Sequence, residues 1–167
     1  MLAGVVDSCR LPAGRALPAA ALAAARLLAA AVGEVDYQRP AGAGEWLVLV
    51  PHVLALLRAQ GRLPAGGEED LAGCAVRLSV ALHWAGSYPV AREVAQAGLE
   101  RGGIAADHPV ALTLRQWRAN AHRSLGRHAD AEAEYRQVLD VMLRVLGPDH
   151  PFTQVTQDAL RRLPRVP

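Results

Sequence analysis

The chain has 167 residues, of which 51% are apolar, and its formal net charge of +2 owes all its positive side chains to arginine, since no lysine occurs. That length suffices for one domain with a sizeable core, and so small a charge argues against the one-signed surface of a dedicated nucleic-acid binder. With three Trp, three Tyr and a single Phe, the core must be built from Leu, Ala and Val.

Met1 to Ala16 carries Gly4, Pro12 and Gly14 with little periodicity and reads as a partly ordered lead-in. It has no basic run of a secretory signal, and Val6-Asp7-Ser8 before Cys9 does not suit lipoprotein processing. Cys9 and Cys74 stand far apart, outside any CxxC or Cys/His pattern, and read as reduced thiols of a cytosolic protein. The most apolar stretch, Leu17 to Val32, is shorter than a bilayer crossing and includes Arg26, so a soluble, cytoplasmic chain is expected.

A first helix is predicted from about Pro18 to Val32, with the proline in its first turn and Gly33 at its exit. Ala and Leu on almost every side predict that it is buried between neighbours. Val35 to Gly44 reads as a loop. A second helix, about Glu45 to Gln60, places Trp46, Leu49, Val50, Val53, Leu54 and Leu57 on one face, and Pro51 within it is expected to kink or restart it. Gly61 to Gly67 reads as a linker. Glu68, Glu69 and Asp70 then put negative charge where the dipole of the next helix, about Glu69 to Ala85, favours it.

From here the chain repeats. Asp107-His108-Pro109 returns 42 positions later as Asp149-His150-Pro151. Between these marks lie a helical segment from Val110 to Leu125, the turn Gly126-Arg127-His128, and a second helical segment from Ala129 to Leu146. A shift of about 40 positions also matches Ala81 with Ala121, Gly86 with Gly126, Ala91 with Ala131, and Leu99 with Leu139. The glycines suit turns that need positive φ, and the alanines suit close helix crossings. Each Asp-His-Pro suits a helix start, the proline in the first turn and the residues before it as caps. A third copy begins at Pro151 and continues as one helix, Phe152 to Leu163, read as a half-repeat that shields the last apolar face. The fold class expected is therefore all-α, a right-handed α-solenoid of about three and a half helical hairpins. Its parts are the lead-in at 1–16, a divergent hairpin with its linker at 17–67, and the repeats with their capping half at 68–167.

The run from Ser124 to Leu139 and the loop Arg144 to Thr153 resemble tetratricopeptide repeats, in particular the 42-residue variety of kinesin light chains and of signalling ATPases. Trp46 to Leu57 is similar to the helix that precedes such repeats in NB-ARC ATPases of the STAND class, and the arginine, alanine, glycine and proline bias points to a high-GC, actinobacterial genome. No GxxxxGK[ST] loop occurs. The resemblance implies a non-catalytic module that binds a peptide or partner helix in a concave groove, within a bacterial signalling or regulatory system. Family register would turn Arg77, Val80, His83, Trp84, Thr113, Gln116, Trp117, Asn120, Arg123 and Ser124 toward that groove. Where the family commonly has an Asn that clamps a peptide backbone, this chain has Arg77, Trp117 and Ala159.

Other chemistry is weakly supported. His108, His128 and His150 belong to turns, whereas His52, His83 and His122 lie on separate helices without metal-ligand spacing, so no metal, cofactor or catalytic residue is expected. Asp130, Glu132 and Glu134 read as a wet helix face. Arg115, Arg118, Arg123 and Arg127 cluster but are followed by acids, which argues against direct nucleic-acid binding. A helical regulatory domain of a transcription factor, and a small-ligand or enzymatic helical domain, are the alternatives. A homodimer through the apolar Leu17–Leu57 hairpin is a further open arrangement.

Overall fold

A repeat of two helices and a turn buries its apolar faces only against the next repeat, and the architecture follows that requirement. The computed structural model describes residues 17–34, 43–59, 61, 63–64, 66–101 and 103–164. Among these are seven helices and no strand: α1 (Leu17–Glu34), α2 (Ala43–Arg58), α3 (Gly67–Trp84), α4 (Tyr88–Glu100), α5 (Pro109–Ser124), α6 (His128–Val145) and α7 (Pro151–Arg161). Each of α3 to α6 packs against the next helix in the chain, α3 also meets α5, and α7 closes on α6. At the other end α1 and α2 pack against α3, and α2 reaches α4. This is an all-α solenoid, as expected. The lead-in from Met1 to Ala16, Cys9 within it, most of the Val35 to Gly44 loop and Pro167 lie outside the described residues.

The expected helices start and stop within two residues of the observed ones, and local chemistry accounts for that. His108 and His150 are N-caps whose Nδ1 atoms accept the Val110 and Phe152 amides at 3.3 and 3.2 Å, with Pro109 and Pro151 next in line. Of the three residues in each mark, it is the histidine that caps. Gly86 and Gly126 both have φ of 75°. Each closes the preceding helix with the same pair of bonds: Gly86 N to His83 O and Ser87 N to Leu82 O, then Gly126 N to Arg123 O and Arg127 N to His122 O. A side chain at such a φ strains against its own carbonyl, so glycine holds both turns. Ala91 and Ala131 are buried at the crossings, as are Ala81 and Ala121.

Helix α2 runs through Pro51 as one element, so of the two outcomes expected of the proline the restart does not occur. Two expectations need correction. Gly67 belongs to α3 and is not part of the linker. Helix α1 is not sheathed on all sides: Ala25 and Val32 are buried, yet Leu27 is 72% exposed, because α2 and α3 cover one side only. The half-repeat α7 likewise buries Thr153 and Thr156 while leaving Phe152 and Val155 exposed.

The core is divided. One large apolar cluster joins α1 to α4 with Leu114 of α5. Two small ones follow, Ala119, Ala131, Tyr135 and Leu163, then Leu112, Val138 and Met142. Partly buried ion pairs tie the pieces together. Arg118 of α5 donates from Nε to both Glu134 oxygens of α6 at 2.9 Å and from Nη1 to Gln96 of α4. Arg101, just past α4, donates to Glu68 of α3 at 2.6 Å and to the carbonyls of Leu56 at 2.6 Å, Ala59 at 3.2 Å and Gly61 at 3.1 Å. Glu68 in turn accepts the Leu63 amide at 2.7 Å. One guanidinium thus fastens the exit of α2 to the entry of α3.

Candidate functional site

The first helix of each full hairpin, α3 and α5, ends beside α7, and their side chains enclose a surface cavity of about 280 Å3. Helix α3 contributes His83 and Trp84; α5 contributes Trp117, Asn120 and Arg123; α7 contributes Val155, Asp158 and Ala159, and Arg162 follows as its C-cap. Helical spacing explains the convergence, because residues three and four apart share a face, as 117, 120 and 123 do on α5 and 155, 158 and 159 on α7, a face that the C-cap at 162 continues.

The wall nearest α3 is aromatic. The His83 ring stands 5.3 Å from Trp117 and 6.2 Å from Trp84, edge-on to each, and 5.1 Å from Tyr88 of α4. Burial, reinforced by the positive field of Arg123, holds the His83 pKa below its ordinary value, so the ring is neutral at pH 7. Its Nδ1 is buried without a hydrogen-bond partner among the described residues. Trp84 covers the edge of this cluster and is itself 70% exposed. That is unusual for so large an apolar side chain.

Behind α5, the fully buried Tyr135 of α6 donates its hydroxyl to Asn120 Oδ1 at 2.5 Å. Burial pushes the phenol up to about 12, so it remains a donor throughout the physiological range. With Oδ1 occupied, the amide is held with its N–H groups turned away from Tyr135. Among the described residues neither Arg123 nor Arg162 has a carboxylate partner within 4 Å, whereas Asp158 is paired with Arg161 at 2.9 Å. Of the cavities of similar size elsewhere, one is lined by Arg115 and by Arg118, which pairs with Glu134, another by Arg101 with its partner Glu68, and a third by Glu68, Glu69 and His108.

Of the ten residues expected to face a groove, the structure brings together His83, Trp84, Trp117, Asn120 and Arg123. Arg77 and Ser124 are exposed, and Val80 and Thr113 half-buried, away from the cavity; the Thr113 hydroxyl donates to the Pro109 carbonyl at 2.8 Å. Gln116 is 6% exposed. It shares the inward face of α5 with Leu112 and Ala119, so it cannot present its amide to a partner. The expected groove residues do not include Val155, Asp158 and Arg162, since in sequence α7 reads as a cap, nor Tyr135, which acts from behind. The spacing of the α7 residues was the available signal. Among the described residues no group of three or more His, Cys, Asp or Glu could hold a metal ion, and no helix is long and apolar enough to cross a membrane.

Fold and cavity together define a helical-repeat scaffold whose first helices, with α7, supply one side-chain cluster. More particularly, residues 118–152 match the family model described as tetratricopeptide repeat, covering the end of α5, all of α6 and the entry to α7. The match supports a tetratricopeptide-repeat protein, a type that generally mediates protein–protein interaction. No curated protein and no solved structure matches the chain.

Proposed function

We propose that this chain is a non-catalytic module that captures a peptide or helix of a partner protein in a groove along α3, α5 and α7. The observation that carries the reading is the cavity itself, which draws on three successive repeat units and leaves Trp84 70% exposed at its rim. Aromatic and arginine side chains of this kind dominate protein recognition, because covering them buries much area and desolvates strong donors. Helices fixed by their neighbours also lower the ordering cost of docking. The backbone-clamp positions of the family hold Trp117 and Ala159 in this cavity, so partner side chains, more than partner backbone, carry the affinity. We read residues 68–167 as the recognition part and 17–67 as a divergent hairpin that closes one end of the stack. On its resemblance to NB-ARC and STAND regulators we read the module as part of a bacterial signalling system in the cytoplasm.

The test is to use the tagged chain as bait in lysate of its own cells, beside the double variant Trp84→Ala, Arg123→Ala. Capture by the parent and loss of the same proteins by the variant, with circular dichroism and melting nearly unchanged, is the expected result. Identical captured proteins for both chains would show that recognition lies on another face.

A further inference from the structure

The cavity is rich in donors and poor in acceptors, and that asymmetry says what its occupant must bring. Arg123 and Arg162 supply two guanidinia with no carboxylate partner among the described residues, and Asn120 adds an amide whose carbonyl end is already taken by Tyr135. The one acid in the lining, Asp158, is engaged by Arg161. A single carboxylate would neutralise one guanidinium and leave the other beneath the partner without a counter-charge, which is costly once water is excluded. A phosphoryl group carries close to two negative charges at pH 7 and three acceptor oxygens, matching two cations and three donor groups. Trp84, Trp117, Val155 and Ala159 lie around these donors and would cover an apolar neighbour in the same peptide.

Resting on the reading of this cavity as a peptide groove, we infer that the partner segment is phosphorylated, with its phosphoryl group held by Arg123, Arg162 and the Asn120 amide and an adjacent apolar side chain laid on Trp84. Tyr135 is a positioning residue: it orients Asn120 and touches no ligand.

The experiment titrates the full chain with three labelled peptide libraries, identical in their random flanks and differing only in a central phosphoserine, serine or glutamate. The phosphoserine library should bind at least about tenfold tighter than either other, the worth of one charge-assisted pair. Inorganic phosphate at millimolar concentration should compete with it alone. Arg123→Gln and Arg162→Gln should each remove the preference while melting is unchanged. Tyr135→Phe should weaken the phosphoserine library and leave the serine library as it was, a split that loss of packing alone would not produce. Equal binding of phosphoserine and serine libraries, or of phosphoserine and glutamate libraries, overturns the inference. If the serine library binds and Trp84→Ala abolishes that binding, the groove stands and only the phosphoryl assignment falls. If no library binds, both fall.

Discussion

His83 joins recognition to stability, because the ring that backs the aromatic wall is also a half-buried titratable group whose Nδ1 is shielded from water. Burial is the first cause of its lowered pKa and the Arg123 charge the second; His122 is shifted the same way, by burial and then by Arg127. A histidine whose folded pKa lies below the unfolded value binds fewer protons when folded, so stability rises with pH across the interval between the two. Its contribution is fully present above the ordinary value of 6.5 and is lost as the pH falls through the folded value. Melting temperature should therefore decline between about pH 7 and pH 5, before most carboxylates titrate. Replacing the ring by phenyl, His83→Phe, keeps an aromatic edge against Trp117 and Tyr88 and removes the proton, so the decline should become shallower. The remaining slope belongs in part to His122. A slope identical in parent and variant would mean that the imidazole is solvated in the folded chain.

At the scale of helices, the ends matter more than the middles. Arg101 gathers the carbonyls that close α2 and the carboxylate that opens α3, with its side chain 7% exposed and that of Glu68 15% exposed. Arg101→Met fills similar space and withdraws the guanidinium from that carboxylate and those carbonyls, so unfolding in urea should show a loss of about 3–5 kcal/mol. The exposed pair Arg58 and Glu93, at 58% and 44%, is the control: Arg58→Ala should cost less than about 1 kcal/mol. Comparable losses for the two would refute the role given to burial. This contrast also separates what could be read from the residues alone from what could not. Gly86, Gly126, His108 and His150 were legible because each acts on its own backbone within a few residues, and that local chemistry repeats along the chain. Half of the cavity was legible for the same reason, since the register of the repeat fixes which face of α3 and α5 a residue occupies. The Arg101 and Glu68 tie was not, because it joins positions 33 apart whose meeting depends on how hairpins stack. Nor was the burial of Gln116, a polar residue whose neighbours alone decide which way its face turns.

For the molecule as a whole, stability in a repeat stack is a sum over neighbours, and here the terms are unequal. The large apolar cluster covers α1 to α4, whereas α5 to α7 are joined by two small clusters and by polar ties: Arg118 with Glu134 and Gln96, and Thr156 with the Met142 sulfur at 3.5 Å. Units held this way open separately, so native-state hydrogen exchange should give α6 and α7 an opening free energy lower than that of α3 and α4 by about 1–2 kcal/mol or more. Glu134→Gln removes the charge that Arg118 faces and should widen that gap, leaving α3 and α4 unchanged. One common opening free energy for every slow amide would show instead that the stack unfolds as a single cooperative unit. The division bears on recognition because the cavity needs all three of α3, α5 and α7. When α7 opens, Val155, Asp158, Ala159 and Arg162 leave the site, and the binding-competent fraction falls with them. A bound partner should therefore raise the protection of α7 toward that of α3, by an amount that grows with its concentration over its dissociation constant. Protection of α7 that ignores a saturating partner would place the docking surface away from this cavity.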